Sequence, residues 1–335
     1  MAKADAVSRA EQLSRTVLFP SAAAVDAADL VPAGHLDALA AAGLYGIAGP
    51  AELGGLDADL ATFCRVIEIL ASGCLATTFV WLQHHGAVRA LAACANGQLR
   101  ETWLRPLVQG RRRAGIALGG ARPGPPLLQA TRTAGGYVFD GTAPWVTGWG
   151  LIDVIYTLAR DSEGQLIAAL LPARPSETLA ASRLNLVAVN ASATVELRFA
   201  AHPVPDGLIC SVFPHADWLA GDAQGLRPNG SLSLGVAARC CLLIGASPLD
   251  AELVGVRDRL DSADAEAMPA ARAAAAEFAF RAAGAAIAAA GSRGILVGQH
   301  PQRLAREAEF LLVFGSRPAI KESVMTLLER ARVAR

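Results

Sequence analysis

The chain has 335 residues, of which 53% are hydrophobic and 18% are charged. That length allows one large domain or two to three smaller ones, and the composition excludes an intrinsically disordered protein. Lysine and arginine number 30, as do aspartate and glutamate, so the formal net charge is zero. A neutral chain argues against nucleic acid as the main partner, because binding to phosphate backbones needs a basic surface.

Targeting and redox signals are weak. Residues 1–15 contain no apolar core segment, so no signal peptide is predicted and a cytoplasmic location is expected. The most apolar stretch, Ala273–Gly291, is interrupted by Glu277 and Arg281, which predicts a buried helix rather than a membrane span. The six cysteines show no metal-ligand or redox spacing, so no metal site is predicted and reduced thiols are expected.

Residues 1–112 are predicted to form an N-terminal all-helical domain. Apolar residues at helical spacing predict helices over His35–Ala42, Leu60–Ala71, Thr77–Ala95 and Gln98–Val108. The third of these helices contains His84 and His85. Adjacent residues cannot easily serve one metal ion from one helix face, and at least one of these rings is expected at a polar helix edge.

Residues 113–228 are predicted to form a central β domain, a sandwich or barrel, because short apolar runs alternate there with Gly, Pro and Asp. The pattern predicts a turn at Asp140 and Gly141 that leads to an apolar run at Trp145–Thr147. Neighbouring Trp and Thr side chains on an outer strand would suit a planar aromatic cofactor; the alternative is a hairpin with its Trp in the core. Further strands are predicted at Tyr137–Phe139, Val154–Leu158, Leu166–Leu171 and Ala193–Phe199.

Residues 229–335 are predicted to form a C-terminal helical domain in which helix returns at about Ser231. The helices are expected over Leu234–Ile244, Asp250–Leu260, Ala265–Ala290, Gln302–Phe310 and Ile320–Arg332. Helices, then strands, then helices predict an α+β architecture and not a doubly wound sheet. Neither G-x-G-x-x-G after a strand, nor a P-loop, nor G-x-S-x-G occurs, so dinucleotide-fold, NTPase and hydrolase-elbow sites lack their motifs.

This order of domains resembles the acyl-CoA dehydrogenase family over nearly the full chain. The segment GTAPWVTGWG is similar to the family's N-G-x-K-x-W-I-T-N, which precedes a strand. Four further segments resemble the family in the right order: PAELGG at 50–55, the strand pair ending in Val-Pro at 184–207, AGSRGI at 290–295 and REAE at 306–309. Each match is weak alone, and together they are strong.

The resemblance implies FAD, held between the β domain and the C-terminal helices of a homo- or hetero-oligomer, an acyl-CoA substrate and an electron-transfer acceptor. It places Trp145 beside the isoalloxazine ring and the Thr147 hydroxyl at the central part of that ring. The loop Ala117–Gly120, with Leu118, would contact the pyrimidine edge of the ring. Gly291 would approach a cofactor held mainly by a neighbouring subunit, with a helix C-cap as the equal alternative.

The chain departs from the family at several site positions. The glutamate that removes the substrate's α-proton is replaced by Phe314 in the stretch 314–316, and the alternative family position falls near Gly235. The R-x-Q-F-G segment that supports a neighbouring subunit's FAD is absent. Gly119 and Gly120 replace the Thr and Glu of the flavin loop, and Pro125 replaces a Ser that touches the pyrophosphate.

Four functions remain open on these residues. The chain is expected to be a subunit of a hetero-oligomer that dehydrogenates an acyl-CoA thioester with FAD in lipid metabolism, its partner supplying the base. A stand-alone dehydrogenase would need an unusual base, for which Glu307 and Glu309 are weak candidates because charged helix faces are usually solvated. A flavin-dependent monooxygenase on the same fold is the third function, and a scaffold subunit without flavin is the fourth.

Overall fold

A computed structural model of the chain describes residues 2–315 and 317–330. Helices, a mixed β-sheet and further helices follow one another along the chain, so the predicted α+β order is confirmed. The N-terminal helices are α1 (Ala2–Leu13), α2 (Phe19–Asp26), α3 (Ala33–Ala41), α4 (Leu60–Gly73), α5 (Leu75–Ala92) and α6 (Gly97–Val108). A π-helical segment, Ser14–Leu18, joins α1 to α2.

Side-chain caps set the starts of two of these helices. Asp59 accepts a hydrogen bond of 2.8 Å from the backbone N–H of Thr62, so α4 begins at the predicted residue. Asn96 accepts one of 3.1 Å from the N–H of Leu99, so α6 begins one residue before the predicted start. The polar residues that precede the apolar pattern therefore fix the N-termini of these two helices.

The expectation that one histidine of α5 lies at a polar edge is wrong. His84 and His85 are both buried, because α5 is covered by other helices and by the first strand. His84 packs edge to face on Tyr45 at 4.7 Å between ring centroids, and its Nδ1 accepts from the N–H of Ala114 at 3.1 Å. His85 packs on Trp81 at 4.4 Å. Burial lowers the pKa of His84 to about 3 and that of His85 well below its usual value.

The central sheet has eight strands: β1 (Ala114–Ala117), β2 (Leu128–Thr133), β3 (Gly136–Val146), β4 (Val154–Arg160), β5 (Gln165–Pro172), β6 (Leu179–Arg183), β7 (Val195–Pro205) and β8 (Ile209–Pro214). Their order in the sheet is β6-β7-β3-β2-β4-β5-β8, and β1 pairs in parallel with β4. The other pairs are antiparallel apart from a single parallel register of β2 on β4.

The predicted turn at Asp140 and Gly141 is wrong. Both residues lie inside β3, and the hairpin turn falls at residues 134–135 between β2 and β3. The pairing of β3 with β7 shifts register between Phe139 and Gly141, and the Asp140 carboxylate accepts from the N–H of Ala201 at 2.9 Å. The Asp-Gly pair therefore lies opposite a β-bulge whose extra residue is on β7, where Ala201 has a left-handed backbone with φ of 48°.

Strands β4 and β5 are buried on both faces. One face packs on α5 and α6, through residues such as Leu158 and Leu170, and the other meets β3 and β7 in a second core. A strand buried on both sides has no polar alternation, which accounts for the continuous apolar runs in the sequence. The strands predicted in these two runs are confirmed, each extended by one or more residues.

The C-terminal helices are α7 (His215–Ile244), α8 (Pro248–Ser262), α9 (Met268–Ala290), α10 (His300–Val313) and α11 (Pro318–Arg330). Helix α7 begins at His215, well before the predicted start near Ser231, and continues through Pro228. A proline removes one backbone hydrogen bond, and packing of α7 on α4 and α9 holds the remaining turns. The domain boundary at residue 228, which α7 crosses, stays a prediction.

Helix α9 lies at the centre of the C-terminal bundle. It packs on α7, α8, α10 and α11, and its many alanines let these helices approach closely. Within the described residues, Met268–Ile295 is the one stretch long and apolar enough to cross a membrane. Half (50%) of its most apolar part is buried inside the protein. Length and composition alone are weak evidence for a span, and a core helix meets the same criteria.

Candidate functional site

Trp145 stands on the surface near the end of β3. It has a left-handed backbone with φ of 64°, at a register shift between Ala143 and Val146 against β7. Such a backbone costs a non-glycine residue about 1–2 kcal/mol, and a bulge at this place turns the side chain away from the core. The residue is 54% exposed, so the alternative of a hairpin with this Trp in the core is wrong. A large flat apolar ring is therefore presented to the surroundings.

Thr147 ends a chain of three buried hydroxyl groups. Its Oγ1 lies 3.1 Å from Oγ1 of Thr194, which in turn lies 2.8 Å from Oγ of Ser192. The backbone N–H of Gly148 also donates to the carbonyl of Ser192 at 2.9 Å. Ser192 and Thr194 are not among the predicted site residues. They flank Ala193, whose left-handed backbone (φ of 49°) follows a short 3-10 segment, and the sequence carries no signal for that local shape.

The loop Leu118–Gly120 packs against the sheet. A Cβ atom built on Gly119 would stand 2.8 Å from the Cβ of Leu128, and one on Gly120 would stand 2.6 Å from the carbonyl carbon of Ala159. Leu118 is partly buried against the core that β4 and β5 share with α5 and α6. The sheet therefore leaves no room for the Thr and Glu side chains that the family has at these two glycines.

The next loop is tied down by a buried arginine and a histidine. Arg160 of β4 donates to Nδ1 of His215 at 2.6 Å and to the carbonyl of Gly124. Nε2 of His215 donates to the carbonyl of Ala121 at 2.9 Å. Pro125, which follows, has no N–H to donate. Arg160 is therefore engaged within the chain, and the exposed Arg122 is the cation that this loop presents to solvent.

Gly291 is the C-cap of α9. It is exposed, its φ is 62°, and a Cβ atom built on it would meet nothing within 4 Å. This is the helix-cap alternative of the sequence prediction. It lies on a different element from Trp145 and Thr147, and its approach to the cofactor of a neighbouring subunit stays a prediction.

Neither family position for the catalytic glutamate can accept a proton in this chain. A Cβ atom built on Gly235 of α7 would stand 2.6 Å from the Cβ of Ala71 on α4, so a longer side chain is excluded. Phe314 packs edge to face on Phe79 at 4.9 Å and stacks on Phe310 at 5.6 Å. Ser316, in the same matched stretch, lies outside the described residues.

The two weak base candidates have different surroundings. Glu309 is exposed, as expected of a charged helix face, whereas Glu307 is only 3% exposed and the expectation of a solvated face is wrong for it. Nη1 of Arg303 donates to Oε1 of Glu307 at 2.5 Å, and Oε2 has no partner among the described residues. Burial raises the pKa of Glu307, although Arg303 opposes this. A buried ion pair between successive turns of α10 is a structural role.

The residues present fit the ring of a flavin better than its diphosphate. Trp145 offers an exposed flat face, and the Thr147 hydroxyl ends a hydrogen-bonded chain beside it. Positions 119 and 120, whose family counterparts contact the pyrimidine edge of the ring, and position 125, whose counterpart touches the pyrophosphate, have no donating side chains here. Trp145 and Thr147 therefore fit the face and the central part of a flavin ring, whereas Pro125 offers no donor to its pyrophosphate.

Residues 4–111 match the family model described as the acyl-CoA dehydrogenase N-terminal domain. The benzylmalonyl-CoA dehydrogenase of Aromatoleum aromaticum is 28% identical over 195 residues, which cover 56% of this chain and 52% of that protein. The chain spans about half the length of the curated relatives it matches.

Two solved structures share the fold. The butyryl-CoA dehydrogenase of Megasphaera elsdenii has a TM-score of 0.83 at 16% identity, over 98% of each chain. A glutaryl-CoA dehydrogenase of Mycobacterium smegmatis in complex with FADH2 has a TM-score of 0.82 at 16% identity, over 100% of this chain and 96% of the other. The N-terminal third of the chain thus matches the acyl-CoA dehydrogenase N-terminal domain, and the whole chain shares the fold of acyl-CoA dehydrogenases.

Proposed function

We propose that this chain is a flavoprotein subunit of a hetero-oligomeric acyl-CoA dehydrogenase in the cytoplasm and that a related partner subunit supplies the catalytic base. The contact of Gly235 with α4 carries this proposal, because it closes one base position by packing while Phe314 occupies the other. A chain with this fold but without a catalytic base can remove the substrate's α-proton only when a neighbouring subunit supplies the base.

The proposed cofactor is FAD, shared between the two subunits. When bound, FAD supplies a hydride acceptor for the carbon β to the thioester. In this arrangement Trp145 covers part of the ring and keeps water from it, and Thr147 holds a hydroxyl at the ring's central part. The partner then holds the diphosphate, for which this chain has few donors. The glutaryl-CoA dehydrogenase whose structure contains FADH2 shares this fold over the whole chain, which supports the choice of cofactor.

The proposed reaction is the α,β-dehydrogenation of an acyl-CoA thioester. The α-proton would pass to a carboxylate of the partner, and bound FAD would supply the acceptor for the β-hydrogen and its electron pair as a double bond forms between these carbons. An electron-transfer protein then takes both electrons. The names of the related dehydrogenases, which act on CoA thioesters, support this substrate class.

Flavin content tests the placement of the ring. We expect the complex with the co-purifying partner to hold FAD, and the variant Trp145→Ala with Thr147→Val to lose most of it. Val212→Ala removes an exposed apolar side chain from β8 of the same sheet and serves as the control, with no expected loss. An unchanged flavin content and spectrum in the double variant would contradict the placement.

The same preparation separates the remaining functions. A complex that never holds flavin would favour a scaffold subunit. Flavin that acyl-CoA does not reduce in the absence of oxygen, but that reacts with oxygen once reduced by another donor, would favour a monooxygenase. Reduction by acyl-CoA alone supports the dehydrogenase.

A further inference from the structure

A cleft lined by charged and apolar side chains lies between the N-terminal helix and the packed pair α4 and α7, on elements that the proposed flavin site does not use. We name it the α4–α7 cleft. It has a volume of about 290 Å³ and adjoins a second hollow of about 370 Å³, with which it shares Arg65 and Leu242. Ser14 and Arg15, at the start of the π-helical segment, line its other side. Such π segments occur often at functional sites.

Like the exposed Arg15 on the other side of the cleft, Arg239 has no counter-ion among the described residues. Its Nε donates to the carbonyl of Ser72 at 2.6 Å, and its guanidinium carbon lies 3.8 Å from the ring centre of Phe19. Across residues 2–315 and 317–330 it forms no ion pair with a carboxylate. Burial, with the like charge of Arg303, lowers the pKa of Arg239 to about 10. The protein therefore holds a partly buried positive charge in place with two nitrogen atoms uncommitted.

The two carboxylates of the cleft are already paired with arginines. Glu68, with a side chain only 3% exposed, accepts from Arg65 at 3.0 Å and from Arg257 at 2.5 Å and 3.1 Å. Glu11, on the rim, lies 3.9 Å from Arg65. An incoming anion therefore meets two unpaired guanidinium groups, those of Arg239 and Arg15, beside two carboxylates that are already paired with Arg65.

The remaining wall of the cleft is apolar. Leu242 of α7 is 69% exposed, and Ile69 of α4 and Ala238 of α7 line the same surface. An exposed leucine beside a cationic hollow favours a ligand with both an acid group and a hydrocarbon part, because burying the hydrocarbon gains about 25 cal/mol per Å². A guanidinium also matches the geometry of a carboxylate with two parallel N–H donors.

We propose that the α4–α7 cleft binds an aliphatic monocarboxylate, with its carboxylate on Arg239 and its chain along Leu242 and Ile69. All the residues named for this site belong to this one chain, so the proposal can be tested on the chain as purified.

Calorimetric titration of the purified chain with octanoate tests this site, and octanamide, which has the same chain without the charge, is the matched ligand. We expect octanoate to bind, octanamide to bind at least about tenfold more weakly, and Arg239→Gln to weaken octanoate by about tenfold or more. Arg239→Lys keeps the charge but not the paired N–H donors, so its affinity for octanoate is expected to lie between those of the wild type and Arg239→Gln. Arg105→Gln, at an exposed position of α6, is the control.

A second variant tests the site in case Arg239→Gln fails to fold. Leu242→Ser changes an exposed side chain, so its melting temperature is expected to stay unchanged while octanoate binds more weakly. Equal affinity for octanoate and octanamide, or octanoate affinity that neither Arg239→Gln nor Leu242→Ser changes, would overturn the proposal. Absence of octanoate binding to the wild-type chain would overturn it as well.

Discussion

Gly235 on α7 lies so close to Ala71 on α4 that a Cβ atom built on the glycine would stand 2.6 Å from that of the alanine. The backbone N atom of Ser72 would stand 3.0 Å away. The two helices therefore meet through backbone at the place where some family members are expected to carry a catalytic glutamate. The same glycine therefore allows α4 and α7 to pack closely and leaves this position without a carboxylate.

Substitution of Gly235 tests this contact. We expect Gly235→Ala to lower the free energy of unfolding by about 1–3 kcal/mol, because the added methyl group forces α4 and α7 apart. Gly255→Ala is the matched control on the exposed face of α8, where a Cβ atom meets nothing within 4 Å. There alanine should stabilise the helix by about 0.5–1 kcal/mol. Urea denaturation measures both, and equal effects of the two substitutions would contradict the close contact.

The buried pair of Arg303 and Glu307 is predicted to serve stability and not proton transfer. We expect Glu307→Gln to cost about 3–5 kcal/mol, because it leaves Arg303 buried without its carboxylate. The double variant Arg303→Met with Glu307→Leu should recover most of that loss, and Glu309→Gln, at an exposed position, should change stability by less than about 0.5 kcal/mol. Denaturation midpoints show this order. A fall in turnover of the folded complex without a fall in stability would identify Glu307 as a base instead.

The left-handed backbone of Trp145 predicts an unusual order of stability. Trp145→Ala and Trp145→Gly both remove the exposed indole, but only glycine relieves the strain at φ of 64°. We therefore expect the glycine variant to be the more stable of the two, by up to about 1 kcal/mol. At Glu196, an exposed position inside β7, the alanine variant should be the more stable one, since glycine weakens ordinary strands. If the alanine variant were the more stable one at both positions, 145 and 196, backbone strain at Trp145 would be contradicted.

The chain of hydroxyl groups predicts a requirement for Thr194. Thr194→Val keeps the shape but leaves the buried hydroxyls of Thr147 and Ser192 without their shared partner, at a cost of about 1–3 kcal/mol. Thr194→Ser keeps the hydroxyl and should cost less, although it loses a methyl group. Thermal unfolding of the two variants decides the matter. A valine variant as stable as the serine variant would show that the hydroxyl chain contributes little.

The adjacent histidines predict a fall in stability at acid pH. Both have a lowered pKa in the folded protein, so the unfolded chain takes up protons below about pH 6.5 that the folded chain refuses. Stability present above that pH should therefore decline by about 1.4 kcal/mol per pH unit for each histidine. We expect this slope between pH 6 and pH 4, below the usual histidine pKa and above the value of about 3 for His84.

Replacing each ring separates the two contributions. His85→Phe removes a buried ring whose two nitrogens have no partner among the described residues, so it should leave stability at neutral pH unchanged or raise it and should flatten the acid slope. His84→Phe also flattens the slope but leaves the N–H of Ala114 unpaired, at a cost of about 1–3 kcal/mol. Unfolding free energies measured across this pH range give both results, and a slope unaltered in both variants would contradict neutral buried histidines.

The sequence predicts the order of elements well where the pattern is local. Apolar spacing and capping residues such as Asp59 and Asn96 place the N-terminal helices, and continuous apolar runs place β4 and β5. The exposed position of Trp145 followed from family resemblance, because the same residues also fitted a buried hairpin.

The features that could not be predicted depend on distant parts of the chain. An Asp-Gly pair fits a turn and a place opposite a β-bulge equally, and the partner that decides is Ala201 on β7. The burial of His84 and His85 depends on what covers α5, and a glycine at 235 shows its meaning only when α4 lies against it. The local sequence pattern therefore predicts helices and strands. That α4 leaves no room for a side chain at position 235 follows only from the packing of distant parts of the chain.

The most direct test of the shared-site account is the visible absorbance spectrum of the purified chain, alone and with the subunit that co-purifies with it, before and after acyl-CoA is added without oxygen. The account predicts that the lone chain gives no flavin spectrum that acyl-CoA bleaches, and that the complex is yellow and bleaches. A lone chain that holds FAD and is bleached by acyl-CoA would contradict it, because such a chain would contain its own base.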